Sequence, residues 1–189
     1  MSLIEKSGTA VGSYAPDFEL PGIDDQVHHL ARYLEQGRAV GVIFLCNNCP
    51  YVLSYVDKLK QIQAQFQNQG FTLIGINAND AKQDPQESFE NMKKFALDNQ
   101  LNFPYLWDST QDVAHSFGAE KTPEAFLIDP MGILRYRGQI DEQAQQPEAR
   151  QALYLQKALT ALLSGEEVLP KSTEPMGSPL KWRHHIMSA

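Results

Sequence analysis

The strongest constraint on the fold is a seven-residue run, AVGVIFL at 39–45, that leads directly into CNNCP at 46–50. A near-continuous apolar run of that length reads as a strand covered on both faces. Beyond Pro50, the residues Val52, Tyr55, Val56, Leu59, Ile62 and Phe66 recur every three or four positions. That spacing predicts a helix over roughly 50–68, with Gly70 just past its end. A buried strand that hands over to a helix within a few residues belongs to an α/β architecture. Cys46 and Cys49, the two cysteines of the chain, both stand at this junction.

The rest of the chain supports the same class. Asp17–Leu20 and Val27–Leu30 read as short strands around the turn chemistry of PGIDD, followed by a helical turn over about Ala31–Glu35 that stops at Gly37. FTLIGINA is a second buried strand. In DPQESFENMKKFALDN, Asp84 reads as a cap, Pro85 as the first helical residue and Glu87 as the capping-box partner. Phe89, Met92, Phe95 and Ala96 form the inner face of that helix. FPYLWD is a short extended segment, and STQDVAHSFG a short helix with Ser109 and Asp112 spaced as a capping box. EAFLIDPMGILRYRGQI predicts two strands around a turn at Pro130, Met131 and Gly132, and a last helix starts at Pro147. The order β-α-β-α-β-α-β-β-α predicts a central mixed, mostly parallel sheet flanked by helices, with an antiparallel edge. The expected organisation is a loose start at 1–13, a domain at 14–164 and an extended C-terminal arm at 165–189. Trp182 favours an arm that drapes over the domain, because a large ring rarely stays in water.

Length and charge narrow the function classes. A chain of 189 residues suits one domain with an extension. A formal net charge of −7 gives no basic footprint for nucleic acid, and no run of like charge marks an interaction tail. The start, MSLIEKSGTAVGS, lacks the apolar core of a secretory signal, and no stretch is apolar enough to span a bilayer. The expectation is a cytoplasmic protein without membrane or nucleic-acid partners. In a reducing compartment a lone cysteine pair is seldom a structural staple, so C-x-x-C reads as redox or metal chemistry.

The placement of the thiols favours redox chemistry. A helix N-terminus carries unpaired N–H groups and about half a positive charge, both of which favour a thiolate. Pro50 at the first helical position makes Cys49 the N-cap, with its sulfur aimed at the amides of Tyr51 and Val52. Cys46 lies within reach of a Cys46–Cys49 disulfide, and the asparagines between them tolerate a tight turn. Two alternatives stay open from the residues alone. The cysteines are packed space-fillers, or they form half of a zinc site. For the second, His28, His29, His115, His184 and His185 are the available ligands, and none has the paired spacing of a zinc module. No metal and no bound cofactor is expected.

These stretches resemble the thioredoxin-like superfamily, and most of all its peroxiredoxin-like branch of alkyl hydroperoxide reductase and thiol-specific antioxidant proteins. APDFELPGIDDQVHHL is similar to the opening hairpin of that branch, FPYLWDSTQDVAHSFGA to its middle segment and TPEAFLIDPMGILRYRGQID to its closing strands. CNNCPYV and GSPLKW resemble a peroxiredoxin-like subgroup with a C-N-x-C-P motif. The resemblance implies a thioredoxin-like fold with an N-terminal β-hairpin. It also implies a cis bond at Thr122-Pro123, whose exposed main chain would dock an extended substrate beside the thiol. Lys121 would favour the thiolate electrostatically.

The chain departs from the family patterns at four places. Counting five residues on from Phe44 reaches Cys49, and Val52 stands where thioredoxins have their second cysteine. The proline and threonine or serine ahead of a peroxidatic cysteine are replaced by Val42 and Cys46, or in the other register by Ala39 and Ile43. Arg135 and Arg137 lie beyond the turn, and an arginine on a strand is expected to be solvated. Ile43 occupies the position of the buried thioredoxin aspartate, and no internal carboxylate is evident. In addition, Ser178 replaces the cysteine of a G-C-x-x-K-W segment. The leading expectation is a thiol–disulfide oxidoreductase in which Cys49 attacks and Cys46 resolves, serviced by a cellular thiol reductant. The alternatives are a thiol peroxidase with antioxidant activity, acting on peroxide, and a non-enzymatic redox sensor or binding module.

Overall fold

Alternation along one strand organises the molecule. In the computed structural model, which describes residues 8–142 and 153–184, the strand Ala39–Phe44 is buried at every position. Ala39 and Ile43 face one apolar layer, and Val40, Val42 and Phe44 face the other. Successive side chains of a strand point to opposite faces, so a strand apolar at both parities must be covered twice.

In chain order the elements are β1 (Glu19–Pro21), β2 (Val27–His29), α1 (Leu30–Gln36), β3 (Ala39–Phe44), α2 (Pro50–Phe66) and β4 (Phe71–Asn77). They continue with α3 (Phe89–Asp98), β5 (Tyr105–Trp107), α4 (Asp112–Phe117), β6 (Lys121–Thr122), β7 (Glu124–Ile128), β8 (Leu134–Gly138), α5 (Tyr154–Leu163) and β9 (Ser178–Pro179). The central sheet has five strands in the order β5-β4-β3-β7-β8. β3 pairs in parallel with β4, and β4 with β5; β7 pairs antiparallel with β3 and with β8. Helices α2, α3 and α5 cover one face, while α1, α4 and the N-terminal hairpin cover the other. The periodic face of α2 (Val52, Tyr55, Val56, Leu59, Ile62, Phe66) is buried as its spacing predicts. Each large side chain of that stripe contributes about 1.5–3 kcal/mol on burial.

Local chemistry moves several expected boundaries. Asp84 caps only a single 3-10 turn, Pro85–Glu87, and Ser88 then caps α3, accepting from the Asn91 amide at 3.3 Å. Glu87 is therefore released from any capping-box role. Ahead of α4 the Asp108 carboxylate, rather than Ser109, reaches into the helix and accepts from the Ala114 amide at 2.8 Å. The start of the last helix at Pro147 lies outside the described residues, where α5 is seen from Tyr154.

The arm drapes over the domain. β9 pairs antiparallel with β6, with Lys121 opposite Pro179 and Thr122 opposite Ser178. Lys181 is held at its amide by Asn79 Oδ1 (2.9 Å) and at its ammonium by Asp84 (2.5 Å). The Trp182 ring stacks on His115 with centroids 4.1 Å apart. Among the described residues, no helix is long and apolar enough to cross a membrane.

Candidate active site

Cys46 stands two residues past the end of β3, and Cys49 is the N-cap of α2, with Pro50 opening the helix. Cys49 has an extended backbone (φ −140°, ψ 122°), and its carbonyl accepts the first helical bond from Leu53 at 3.0 Å. Both thiols are free and buried, with exposures of 1% for Cys46 and 3% for Cys49.

Polar groups from three directions meet the sulfurs. The Ser178 hydroxyl lies 2.9 Å from Cys49 Sγ, and the Thr122 carbonyl lies 3.6 Å from it. Thr122 Oγ1 donates to Cys46 Sγ at 3.3 Å. The two thiols lie close together, and their mutual interaction is the largest influence on both pKa values. The neighbouring Cys46 thiol pulls the Cys49 pKa down to about 5, against the opposing effect of burial. Ser178, then the Val52 and Tyr51 amides, lower it further. Those amides act as oriented dipoles, since no cap hydrogen bond of ordinary geometry forms. Cys46 moves the other way, well above the ordinary thiol range, through its interaction with Cys49 and through burial, with the Cys49 and Glu87 charges adding to the shift. The surroundings thus favour the thiolate at Cys49 over Cys46.

The Thr122-Pro123 bond is cis, and Thr122 touches both sulfurs. Pro123 leads straight into β7. The Lys121 amide is bound by Glu124 Oε2 at 3.2 Å. Among the described residues, the Lys121 ammonium makes no hydrogen bond or ion pair to either sulfur, and the structure gives it no contact that would favour the thiolate. The edge on which an extended partner would dock beside Thr122 is occupied by the chain's own β9.

Two buried carboxylates correct the expectation that the interior holds none. Glu124, fully buried, accepts the amides of Glu120 (2.8 Å) and Lys121 (3.2 Å) and pairs with Arg137 at 3.3 Å. Arg137 is accordingly not solvated. It is 8% exposed, and it also donates to the Gly118 carbonyl at 2.9 Å. Arg135 remains half-exposed and pairs with Asp129. Glu87, likewise fully buried, accepts the Asn47 amide (2.8 Å) and the Asn48 amide (3.0 Å), and so holds the turn between the cysteines. Asn77 donates to Glu87 at 2.8 Å, and Tyr105 Oη donates to Asn47 Oδ1 at 2.8 Å. The sequence carried no signal for Glu87, because its spacing from Asp84 fits a capping box equally well. Among the described residues, no three His, Cys, Asp or Glu side chains gather within reach of one metal ion.

Residues 11–137 match the model of the AhpC/TSA family. The chain belongs to the AhpC/TSA family. This family member is also 33% identical over 134 residues to the thiol-disulfide oxidoreductase ResA of Geobacillus thermodenitrificans, covering 69% of this chain and 70% of that protein. Among solved structures, an uncharacterized conserved protein from Geobacillus kaustophilus superposes with a TM-score of 0.86 at 34% identity, covering 95% of this chain and 94% of that one. A hypothetical protein from Sinorhizobium meliloti superposes with a TM-score of 0.85 at 31% identity, covering 93% and 96%. Coverage this high takes both likenesses beyond the sheet and into the C-terminal arm.

Proposed function

We propose that the chain is a thiol–disulfide oxidoreductase that works through the Cys46/Cys49 couple. One observation carries the reading: two buried thiols meet at the mouth of α2, with Cys49 at the N-cap 2.9 Å from the Ser178 hydroxyl and Cys46 3.3 Å from the Thr122 hydroxyl, a setting that lowers the pKa of Cys49 and raises that of Cys46. The likeness to a thiol-disulfide oxidoreductase supports it.

The geometry supports the following chemistry. The Cys49 thiolate attacks one sulfur of a substrate disulfide. That S–S bond breaks, and the departing sulfur takes the electron pair and a proton from water. Cys46 then gives up its proton and attacks Cys49 Sγ, which closes the Cys46–Cys49 disulfide and expels the second substrate thiol. Two electrons have passed from the dithiol to the substrate, and a cellular thiol reductant reopens the couple. A reducing setting would hold the resting state as the dithiol. The substrate is a protein disulfide on an extended segment, which reaches Cys49 by taking the place of β9 along Thr122. Arg137, committed to Glu124 and to Gly118, is not available to polarise a peroxide at Cys49.

Insulin reduction under a thiol donor tests the proposal, with hydrogen peroxide consumption measured beside it. Wild type reduces insulin, Cys49→Ser abolishes the activity, and Cys46→Ser accumulates a mixed disulfide at Cys49. Peroxide turnover without disulfide turnover would overturn the assignment.

A further inference from the structure

We infer that Glu87 is the positioning residue that decides which of the two thiols becomes the nucleophile. The inference rests on the dithiol reading of the pair, and it concerns the order of reactivity within it.

What matters is where the main-chain donors go. Nearby N–H groups stabilise a thiolate in a turn. The donors next in sequence to Cys46 are the amides of Asn47 and Asn48. Both are taken by one carboxylate, with Asn47 N donating to Glu87 Oε2 at 2.8 Å and Asn48 N to Oε1 at 3.0 Å. Cys46 is left with the Thr122 hydroxyl and its neighbouring thiol. Cys49 faces the opposite situation. Pro50 brings no N–H, but the Tyr51 and Val52 amides at the mouth of α2 act on the Cys49 sulfur, and the Ser178 hydroxyl is 2.9 Å away. One residue therefore removes donors from the first sulfur and adds its own negative charge beside it, while the helix serves the second.

Glu87 is itself rigidly held. It is fully buried, Asn77 Nδ2 donates to it at 2.8 Å, and Asn77 also reaches Tyr105 Oη at 3.2 Å. Tyr105 and the Gln86 carbonyl bind the Asn47 side chain at 2.8 Å and 3.0 Å. The titratable groups facing Glu87 are Cys46 from the loop after β3, Tyr105 from β5 and Lys181 from the arm, with Asp84 on its own turn. Lys181 is the one cation of this set, and its ammonium is paired with Asp84 at 2.5 Å, so it offsets the Glu87 charge only in part.

The test is site-resolved alkylation by iodoacetamide. It is followed by peptide mass mapping across about pH 4–10, the range that brackets shifted and ordinary thiols, in wild type, Glu87→Gln and Glu87→Asp. In wild type Cys49 reacts first and Cys46 stays protected. Glu87→Gln removes the charge and can accept only one of the two amides, so the Cys46-to-Cys49 rate ratio at about pH 8 rises at least tenfold, the effect of one pKa unit. Glu87→Asp keeps the charge on a shorter reach and gives a smaller rise. It also decides the matter if Glu87→Gln does not fold. A ratio unchanged in a folded variant, whatever happens to its melting temperature, overturns the inference. Because the measurement needs no disulfide substrate, a wild type inactive on insulin would defeat the proposed function and leave this result standing.

Discussion

The hydroxyl of Ser178 lies 2.9 Å from the sulfur of Cys49, in a strand pair that sets Ser178 opposite Thr122. The arm thereby places a side-chain oxygen where the sulfur of a docked partner would sit. A thiol introduced at this position would be the third in the chain and would meet the attacking sulfur. Ser178→Cys, oxidised mildly, is expected to join the introduced thiol to Cys49 in a disulfide, read as a loss of two hydrogens and a cross-linked peptide in the mass map. Ser178→Ala removes one donor to the thiolate and raises the Cys49 pKa above its value of about 5, which a pH-resolved alkylation series detects. An introduced thiol that stays free while Cys46 and Cys49 oxidise would show that the arm does not hold this register in solution.

The depressed Cys49 pKa has a consequence for stability whose sign is fixed. In the unfolded chain the thiol titrates near its ordinary value of 9, and in the folded protein near 5. Between these values the unfolded state binds the extra proton, so the contribution of this group to stability rises with pH through that window. It is complete above the unfolded value and lost as pH falls toward the folded one. Cys46, shifted upward, contributes the opposite trend only above the ordinary thiol range. The difference in unfolding free energy between wild type and Cys49→Ser, followed by urea titration under reducing conditions, is expected to grow in favour of wild type from about pH 5 to about pH 8. A difference independent of pH would mean that Cys49 is not held as a thiolate.

Much of this site was legible in the sequence because it is local. The apolar run at 39–45, the proline at 50 and the period of Val52 to Phe66 place a cysteine at a helix N-cap with no knowledge of the rest of the fold. The arm was legible only in outline. Trp182 suggested that it drapes, but the pairing of Ser178 with Thr122 joins residues far apart in the chain and has no periodic signature. Glu87 was read as a capping-box partner and Arg137 as a solvated strand arginine for the same physical reason. A charged residue in a turn or on a strand is assigned to local or solvent partners until tertiary structure supplies others, here two turn amides for Glu87 and a buried carboxylate for Arg137.

Arg137 and Glu124 brace the loop that carries Pro123. Glu124 accepts two amides of that loop, and burial raises its pKa while those amides and Arg137 hold it down. Removing one partner of a buried pair leaves an uncompensated charge, which costs roughly 3–5 kcal/mol. Arg137→Met is therefore expected to destabilise the protein by that order in denaturant titrations. The double variant Glu124→Gln with Arg137→Met should recover much of the loss, because the buried charge is gone. A double variant no more stable than the single one would assign the loss to packing against Phe126, whose ring lies 5.1 Å from the guanidinium.

Gly177 controls how closely the arm approaches the thiols. A Cβ at this position would stand 2.3 Å from the Thr122 carbonyl oxygen and 2.7 Å from its carbon, both main-chain atoms that cannot move aside as a flexible side chain would. Gly177→Ala must therefore push the arm outward while changing no titratable group. The separation of Ser178 from Cys49 grows, and the edge of β6 opens to other chains. Alkylation of Cys49 at fixed pH is expected to accelerate by about an order of magnitude, and insulin reduction with it. The Cys49 pKa rises slightly because the Ser178 donor is lost, as an alkylation pH series would record. Faster alkylation without faster insulin reduction would show that the arm shields the thiol but does not compete with a protein substrate. No change in either rate would show that the arm already leaves β6 readily and that the buried state of Cys49 is not what limits its reactions.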